Sequence, residues 1–266
     1  MMYGAIIGDI AGSRFEFNNY RAKDFELFSP ECMVTDDSIM TLAVAEALMR
    51  SAPDFADLGK QAVLCMQEVG RPYPGCGYGG NFMHWMYTDH PRPYNSFGNG
   101  AAMRVSTCAL AARTLEEAKA FSKAVTEVTH NHPEGIKGAE AIAVAVFMAK
   151  NGASMQDIRE VIHREYYPMT FTLDEIRPTY WFNETCQDTV PQAMQAFFES
   201  TSFEDAIRNA VSVGGDSDTL AAITGSVAAA YWGVPEELKQ QALAFMDDRQ
   251  TDILFRFEAF LSAHRV

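Results

Sequence analysis

Basic residues are scarce in this sequence. Among 266 residues it has 21 Lys and Arg against 35 Asp and Glu, which gives a formal net charge of −14. Electrostatic binding of a nucleic-acid backbone depends on clustered Lys and Arg that displace counterions. The charge balance therefore predicts no direct electrostatic binding of nucleic acid. An anionic ligand would have to be held by local features, such as backbone N–H groups, helix N-termini or a bound cation.

Cysteines and long apolar runs are also few. The five cysteines are odd in number, widely spaced and without a CxxC pair, so they favour reduced thiols over a disulfide framework or a zinc site. The longest uninterrupted apolar run, Ala141 to Ala149, is far shorter than the ~20 residues of a membrane helix. Residues 1–13 lack the basic leading region and cleavage site of a signal peptide. We therefore expect a cytoplasmic protein without a membrane span.

Segments with the alternating pattern of β-strands are absent, and helical periodicity dominates. After Asp37, for example, apolar residues such as Ile39 and Leu42 recur on one helical face. Pro191 is expected in the first turn of a helix. No repeat or linker divides the chain, so the sequence predicts one all-α domain over residues 1–266, with about ten helices. Three stretches rich in Gly, Pro, Asn and aromatic residues are predicted as long loops: 17–34, 71–100 and 166–189.

Two acidic clusters lie about 180 residues apart, and each immediately precedes a predicted helix. The first is Thr35-Asp36-Asp37, and the second lies within Gly214–Thr219. Carboxylates and hydroxyls without softer ligands suit hard cations such as Mg²⁺ or Mn²⁺. The alternative is that these residues cap their helices, because Asp and Thr stabilise helix N-termini. One cluster alone favours the capping role, whereas two clusters of the same character favour a metal site.

A carboxylate between two aromatic residues is a further candidate for chemistry. Glu16 follows a turn of small residues and is flanked by Phe15 and Phe17. Such a setting can raise the pKa of a carboxyl group and suit it to proton transfer. The alternative is an exposed glutamate in a loop.

Two loops dense in glycine, residues 75–81 and 96–104, could present successive N–H groups to phosphate oxygens, and Arg104 could add positive charge. Neither loop matches a Walker or dinucleotide fingerprint, because no strand precedes it. His130 and His132 are two residues apart, but no cysteine or third histidine lies nearby to complete a transition-metal site. A ligand-contacting or helix-capping role is the better interpretation for this pair.

The order of these motifs resembles one known family. GDxxGxxxE, TDD, GNGAAMR, THxHPEG and GGDxDT follow one another between about residues 4 and 235, as they do in the ADP-ribosylglycohydrolases. TDD alone is uninformative, but five motifs in the family's order are specific. The resemblance implies an all-α orthogonal bundle with a centre for two Mg²⁺ or Mn²⁺ ions at the mouth of an ADP-ribose cleft.

The resemblance also implies roles for individual residues. Asp218 would bridge the two ions, and the residues with catalytic roles would be Glu16, Asp37 and Asp218. The implied metal ligands are Thr35, Asp36, Asp37, Asp216, Asp218 and Thr219. The implied substrate contacts are Gly77, Gly79, Gly80, Ser96, Phe97, Gly98, Asn99, Gly100 and His130. Residues 181–184 do not match the family pattern securely, so the contacts to the adenosine part of the ligand stay open.

The function implied by the resemblance is a metal-dependent hydrolase that cleaves the glycosidic bond between ADP-ribose and an acceptor. Its partner would be an ADP-ribosylated protein or small molecule. Two alternatives remain from the residues themselves: a non-catalytic ADP-ribose-binding protein on the same fold, and a di-metal phosphohydrolase acting on the pyrophosphate of a nucleotide. The acceptor is not specified, because the motifs concern the ADP-ribose half of the substrate.

Overall fold

A computed structural model describes residues 1–264, and over this range the protein is an all-α bundle, as the sequence predicts. The helices are α1 Tyr3–Ser13, α2 Asp36–Ser51, α3 Leu58–Gly70, α4 Gly80–Tyr87, α5 Ser106–Ala111, α6 Leu115–Thr126, α7 Pro133–Lys150, α8 Met155–Glu165, α9 Leu173–Ile176, α10 Cys186–Phe198, α11 Phe203–Val213, α12 Ser217–Trp232, α13 Glu236–Leu243 and α14 Asp248–His264. A 3₁₀ turn covers Asn99–Ala101. Within the described range no β-strand forms, and a single antiparallel bridge joins Gly98 to Thr185.

The central helices are buried on nearly all sides. Residues 217–229 of α12 are all buried, and their small Ala, Gly and Ser side chains allow neighbouring helices to approach closely. At Gly8 of α1, a Cβ atom would lie 2.0 Å from the carbonyl oxygen of Ala221 on α12. Such a distance is far inside van der Waals contact, so α1 and α12 can pack this closely because residue 8 is glycine. This contact brings the C-terminal half of α1 beside the first turn of α12.

Local capping explains where several helices begin. The Ser154 hydroxyl accepts a hydrogen bond from the Asp157 amide, and the Asp157 side chain accepts one from the Ser154 amide, which completes a capping box at the start of α8. Thr114 and Ser202 cap α6 and α11 in the same manner through their hydroxyls.

Two details of the predicted fold are wrong. The described residues contain fourteen α-helices rather than about ten, because short helices such as α4 and α9 form inside the stretches predicted as loops. Pro191 lies inside α10, five residues after its first residue Cys186, and not in the first turn. Tertiary burial of this helix, including Pro191 itself, outweighs the weak local preference of proline.

No helix within residues 1–264 is both long and apolar enough to cross a membrane. All five cysteines are free thiols; four of them are buried, and Cys76 is half-buried.

Candidate metal centre and active site

Two groups of carboxylates meet where the first turns of α2 and α12 approach the end of α1. In one group, oxygens of Asp9, Asp37 and Asp218 all lie within 4.8 Å of one another. In the other, oxygens of Glu16, Asp216 and Asp218 do the same. Asp218 belongs to both groups, so its carboxylate lies between them. The two acidic clusters of the sequence are therefore neighbours in space.

Asp9 of α1 positions the first cluster through hydrogen bonds to the start of α2. Its side chain is fully buried, and its Oδ1 accepts a hydrogen bond of 2.6 Å from the Thr35 hydroxyl. Its Oδ2 accepts from the amides of Thr35 and Ser38, at 3.0 and 3.1 Å. These bonds hold the start of α2 against α1. Because Thr35 also caps α2 by accepting from the Asp37 amide, Asp9 controls where the carboxylate of Asp37 lies.

The second cluster depends on a glycine turn. Gly214 and Gly215 have φ angles of +78° and +75°, a conformation in which residues with a Cβ atom are strained. This turn ends α11 and starts α12 so that Asp216, the N-cap residue, reaches the cleft. Asp216 Oδ2 accepts a hydrogen bond of 2.6 Å from the side-chain amide of Asn99. Thr219 links the clusters, because its hydroxyl donates to Asp37 Oδ2 at 3.0 Å.

The carboxylates are close together, buried and without a cationic partner in the described chain, and this combination disfavours their charged forms. Burial, followed by the negative charges of neighbouring aspartates, raises the pKa of Asp36, Asp37 and Asp218 well above the usual range. Burial also raises the pKa of Asp9 to about 6. The Oδ1 atom of Asp37 is buried and finds no hydrogen-bond partner within residues 1–264.

An oxygen-only ligand set with an unpaired buried carboxylate oxygen fits a hard divalent cation. A cation would replace the repulsion among these acids by attraction, and it would give Asp37 Oδ1 a partner. The residues present therefore fit a metal centre. Asp36 lines the same cleft, although it is not a member of either carboxylate group.

Glu16 enters the site from the N-terminal loop, residues 14–35. Burial, followed by the charge of Asp216, raises the pKa of Glu16 to about 7. The sequence suggests that the rings of Phe15 and Phe17 both flank Glu16 and raise its pKa, but the two rings lie in different environments. Phe15 turns into the core and stacks on Tyr20 with ring centroids 5.2 Å apart, whereas Phe17 is 84% exposed.

The N-terminal loop is fastened to the turn before Asp216. Asn19 Oδ1 accepts a hydrogen bond of 2.5 Å from the Gly215 amide, and Arg21 donates to the carbonyl of Val213 at 3.1 Å. Arg21 also donates to the carbonyls of Arg177 and Tyr180. These bonds hold the loop that carries Glu16 beside the second acidic cluster.

Both glycine loops line the cleft. Gly77 has a φ of +99° and lies against Asp36, where a Cβ atom would be 3.0 Å from the carboxylate oxygen. Gly79 and Gly80 have open space beside them and lead into α4, so the N-terminus of this helix faces the cleft. His130 Nε2 approaches the backbone of Gly98 and Gly100.

The structure brings nearly all of the predicted site residues to one cleft. Those that line it are Glu16, Asp36, Asp37, Gly77, Gly79, Gly80, Ser96, Gly98, Asn99, Gly100, His130, Asp216, Asp218 and Thr219. Two predicted residues are placed differently. Thr35 lies behind the carboxylates in its bond with Asp9, and Phe97 lines a neighbouring surface pocket together with Phe182.

Several residues of the cleft were not assigned a role from the sequence. They include Asp9, Asn81, Tyr94 and Glu184. For Asp9 a signal was available, because a single acid in the apolar segment Gly4–Ala11 must find partners when the helix is buried. Asn81 lies in the first turn of the short helix α4, and Tyr94 and Glu184 lie in loops. In these places nothing in the local pattern separates a cleft residue from an exposed one.

Comparison with known proteins assigns the chain to a single protein family. The family model described as ADP-ribosylglycohydrolase matches residues 1–256. ADP-ribosylhydrolase ARH3 from Mus musculus is 24% identical, with 99% of this chain and 90% of that protein covered. The ADP-ribosyl-[dinitrogen reductase] glycohydrolase of Rhodospirillum rubrum is 28% identical over 76% of this chain and 70% of its own. ADP-ribosylarginine hydrolase Tri1 of Pseudomonas putida is 26% identical, over 88% and 70%.

The fold has a counterpart among solved structures. A chain described as an ADP-ribosylglycohydrolase-related protein complex superposes with a TM-score of 0.66 at 22% identity. The superposition covers 92% of this chain and 94% of the other. At this identity the likeness shows a shared fold.

Proposed function

This chain belongs to the ADP-ribosylglycohydrolase family of hydrolases, and we propose that it cleaves the glycosidic bond between ADP-ribose and an acceptor. The acceptor is a protein side chain, such as arginine or serine, or another ADP-ribosylated molecule. The observation that carries the proposal is the position of Glu16, whose carboxylate lies within 4.8 Å of the oxygens of Asp216 and Asp218.

Within this proposal the acidic residues hold two divalent cations, Mg²⁺ or Mn²⁺. Asp218 would be a ligand of both ions, since it belongs to both carboxylate groups. The other ligands would be Asp36, Asp37, Asp216 and Thr219. Thr35 would also be a ligand, because its hydroxyl oxygen keeps a lone pair while it donates to Asp9. When bound, the ions supply positive charge that orients ribose hydroxyls and a water and offsets the charge that develops during cleavage.

Glu16 acts in proton transfer or in directing the attacking water. Its position supports this role, because its carboxylate lies beside Asp216 and Asp218, where a carboxylate can accept or donate a proton at the reacting atoms. The bond to the acceptor breaks at C1″, a water adds its oxygen to that carbon, and the acceptor leaves with a proton. The loop that carries Glu16 excludes water around the reacting atoms.

The rest of the ligand lies along the glycine loops. Gly77, Gly79 and Gly80 offer backbone N–H groups to the diphosphate near the N-terminus of α4, where the helix dipole favours negative charge. Ser96 to Gly100 and His130 contact the ribose and phosphate. Phe97 contributes from the neighbouring pocket at the edge of the cleft.

The test is incubation of the protein with ADP-ribosylated arginine, serine and nucleobase substrates in the presence of Mg²⁺ or Mn²⁺, followed by mass spectrometry. Release of intact ADP-ribose supports the proposal. Release of AMP would instead indicate a nucleotide phosphohydrolase. ADP-ribose binding without cleavage of any substrate would indicate a non-catalytic binding protein on this fold.

A further inference from the structure

A buried arginine lies beside His130 at the inner wall of the cleft. Arg104 is 1% exposed, and no carboxylate within residues 1–264 forms an ion pair with it. Burying a guanidinium without an acidic partner costs desolvation free energy, so other contacts must offset that cost. Its carbon Cζ lies 5.6 Å from the centroid of the Phe82 ring, which offers a cation–π contact. Burial lowers the pKa of Arg104 to about 10, so it remains charged at neutral pH.

Arg104 directs its hydrogen bonds to His130 and its neighbour. Nη2 of Arg104 donates to the Thr129 hydroxyl oxygen at 2.6 Å. The same hydroxyl lies 2.7 Å from Nδ1 of His130, and Nη2 itself is 3.4 Å from that nitrogen. We call this set of three residues, Arg104, Thr129 and His130, the arginine relay. Thr129 is fully buried and His130 nearly so.

The relay determines which ring nitrogen of His130 carries the proton. A guanidinium can only donate, and Nη2 of Arg104 lies 3.4 Å from Nδ1 while it donates to the Thr129 hydroxyl, so its N–H groups and positive charge favour an Nδ1 without a proton. The Thr129 hydroxyl has one proton, and Nδ1 at 2.7 Å is a better acceptor than the carbonyl of Thr126 at 3.4 Å. Nδ1 is therefore the acceptor, and the proton of the neutral ring lies on Nε2.

The imidazole ring of His130 is neutral at physiological pH, so only one of its two nitrogens carries a proton. Burial, followed by the positive charge of Arg104, lowers the pKa of His130 well below its usual value. Nε2 faces the glycine turn of the cleft, where Cβ atoms at Gly98 and Gly100 would lie 3.5 and 3.4 Å from it. A neutral imidazole in this position presents a single N–H group to the cleft.

We propose that Arg104 is a positioning residue that, through Thr129, fixes His130 as a hydrogen-bond donor for an oxygen acceptor of the ligand. Arg104 is itself part of the cleft lining, so this wall combines a largely buried cation with the N–H group of His130. An acceptor such as a phosphate oxygen fits this wall, and a donor such as a protonated amine does not. That the phosphate belongs to ADP-ribose rests on the proposed function.

The first test is the tautomer itself in the full-length protein. Long-range ¹H–¹⁵N correlation spectra of protein labelled at histidine nitrogens are compared with spectra of His130→Phe to assign the ring. We expect a pyridine-type Nδ1 and a pyrrole-type Nε2 for His130 at about pH 7. A pyrrole-type Nδ1 in the wild-type protein overturns the proposal, whatever the ligand is.

The second test uses a matched pair of variants at Thr129. Thr129→Val removes the hydroxyl while keeping the shape, and Thr129→Ser keeps the hydroxyl. We expect Thr129→Val to mix the two tautomers and to weaken ADP-ribose binding by about three- to tenfold, the value of one hydrogen bond. Thr129→Ser should retain the wild-type tautomer and affinity. Circular dichroism confirms that each variant is folded.

An unchanged tautomer and an unchanged affinity in folded Thr129→Val would overturn the relay. Should Thr129→Val fail to fold, the wild-type spectrum decides alone, because it does not depend on a variant. Should the wild-type protein fail to bind ADP-ribose, the proposed function is contradicted. The tautomer of His130 still decides the relay in that case, so the two failures are distinguishable.

Discussion

Asn99 and Asp216 are 117 residues apart in the sequence, and a hydrogen bond of 2.6 Å joins the Asn99 side-chain amide to the Asp216 carboxylate. The bond joins the 3₁₀ turn Asn99–Ala101 to the N-cap residue of α12. Both side chains are buried. Asn99 therefore orients a proposed metal ligand in addition to facing the ligand cleft.

Asn99→Ala should destabilise the metal-free protein. The change leaves a buried carboxylate oxygen of Asp216 without its donor, and such a loss costs about 1–3 kcal/mol. The free energy of unfolding in urea, measured in EDTA and in Mg²⁺, tests this expectation. Asn151→Ala is the control, because the exposed Asn151 amide bonds only within its own helix end. Equal small effects of the two substitutions would contradict a role for Asn99 in holding Asp216.

Asp218→Asn should impair metal binding far more than Ser217→Ala. The first change removes a carboxylate charge shared by both acidic groups. Ser217 donates instead to the carbonyl of Gly215 at 3.2 Å, away from the acidic groups. Titration calorimetry with Mn²⁺ should show affinity reduced by more than about tenfold for Asp218→Asn and unchanged for Ser217→Ala. If both variants bind the metal as wild type does, this segment serves as a helix cap and not as a metal site.

Glu16→Gln should separate binding from turnover. The amide keeps the size of the side chain and removes its charge, so ADP-ribose affinity should stay within about tenfold, roughly 1.4 kcal/mol. Turnover should fall by about 10² or more, the usual contribution of a positioned acid or base. Glu26→Gln is the control, since Glu26 is an exposed acid of the same loop. Unaltered turnover would show that Glu16 is an ordinary loop residue, and a collapse of affinity would assign it a structural role.

The sequence predicts the acidic clusters well because they are local patterns. Asp36, Asp37, Asp216 and Asp218 occupy the first turns of helices or their N-caps, where short-range rules of helix capping and metal-ligand chemistry both apply. That the two clusters meet follows from the packing of α1 against α2 and α12. No pattern of neighbouring residues in the sequence specifies that packing. The family resemblance was therefore the basis for expecting the two clusters to meet.

Residues whose role depends on tertiary contacts were harder to assign. Asp9 reads as an interruption of an apolar segment, and its three hydrogen bonds to Thr35 and Ser38 appear once the helices are placed. The link of Asn19 to the Gly215 amide joins positions 196 residues apart. The pKa of Glu16 was expected to rise through aromatic neighbours, whereas burial and the nearby Asp216 raise it.

Gly8→Ala should strongly destabilise the protein. The added Cβ atom would lie 2.0 Å from the backbone carbonyl oxygen of Ala221, and backbone atoms cannot rotate away as a side chain can. Overpacking of this kind costs about 1–3 kcal/mol or more, so the midpoint of urea unfolding should fall clearly. Gly75→Ala is the control, because nothing lies within 4 Å of a Cβ atom there. Equal stability of the two variants would mean that α1 can shift away from α12 at little cost.

Metal removal should make the stability of the protein depend on pH. Burial raises the pKa of Asp9 to about 6 and that of Asp37 and Asp218 well above the usual range, whereas an unfolded aspartate has a pKa of about 3.9. The metal-free folded state therefore binds more protons than the unfolded state between these values. These groups contribute their full stabilisation of the folded state below about pH 4, and this contribution is lost as the pH rises through their folded pKa values.

In EDTA, the free energy of unfolding should decrease between about pH 5 and pH 7, by about 1.4 kcal/mol per pH unit for each extra proton bound by the folded state. Mg²⁺ should restore stability, and more strongly at the higher pH, because the cation competes with protons for the same oxygens. Asp37→Asn should flatten the slope in EDTA, since it removes one buried acid, whereas the exposed Asp89→Asn should leave the slope unchanged. A free energy of unfolding in EDTA that rises with pH between about pH 5 and pH 7 would contradict the presence of buried carboxylates with raised pKa values.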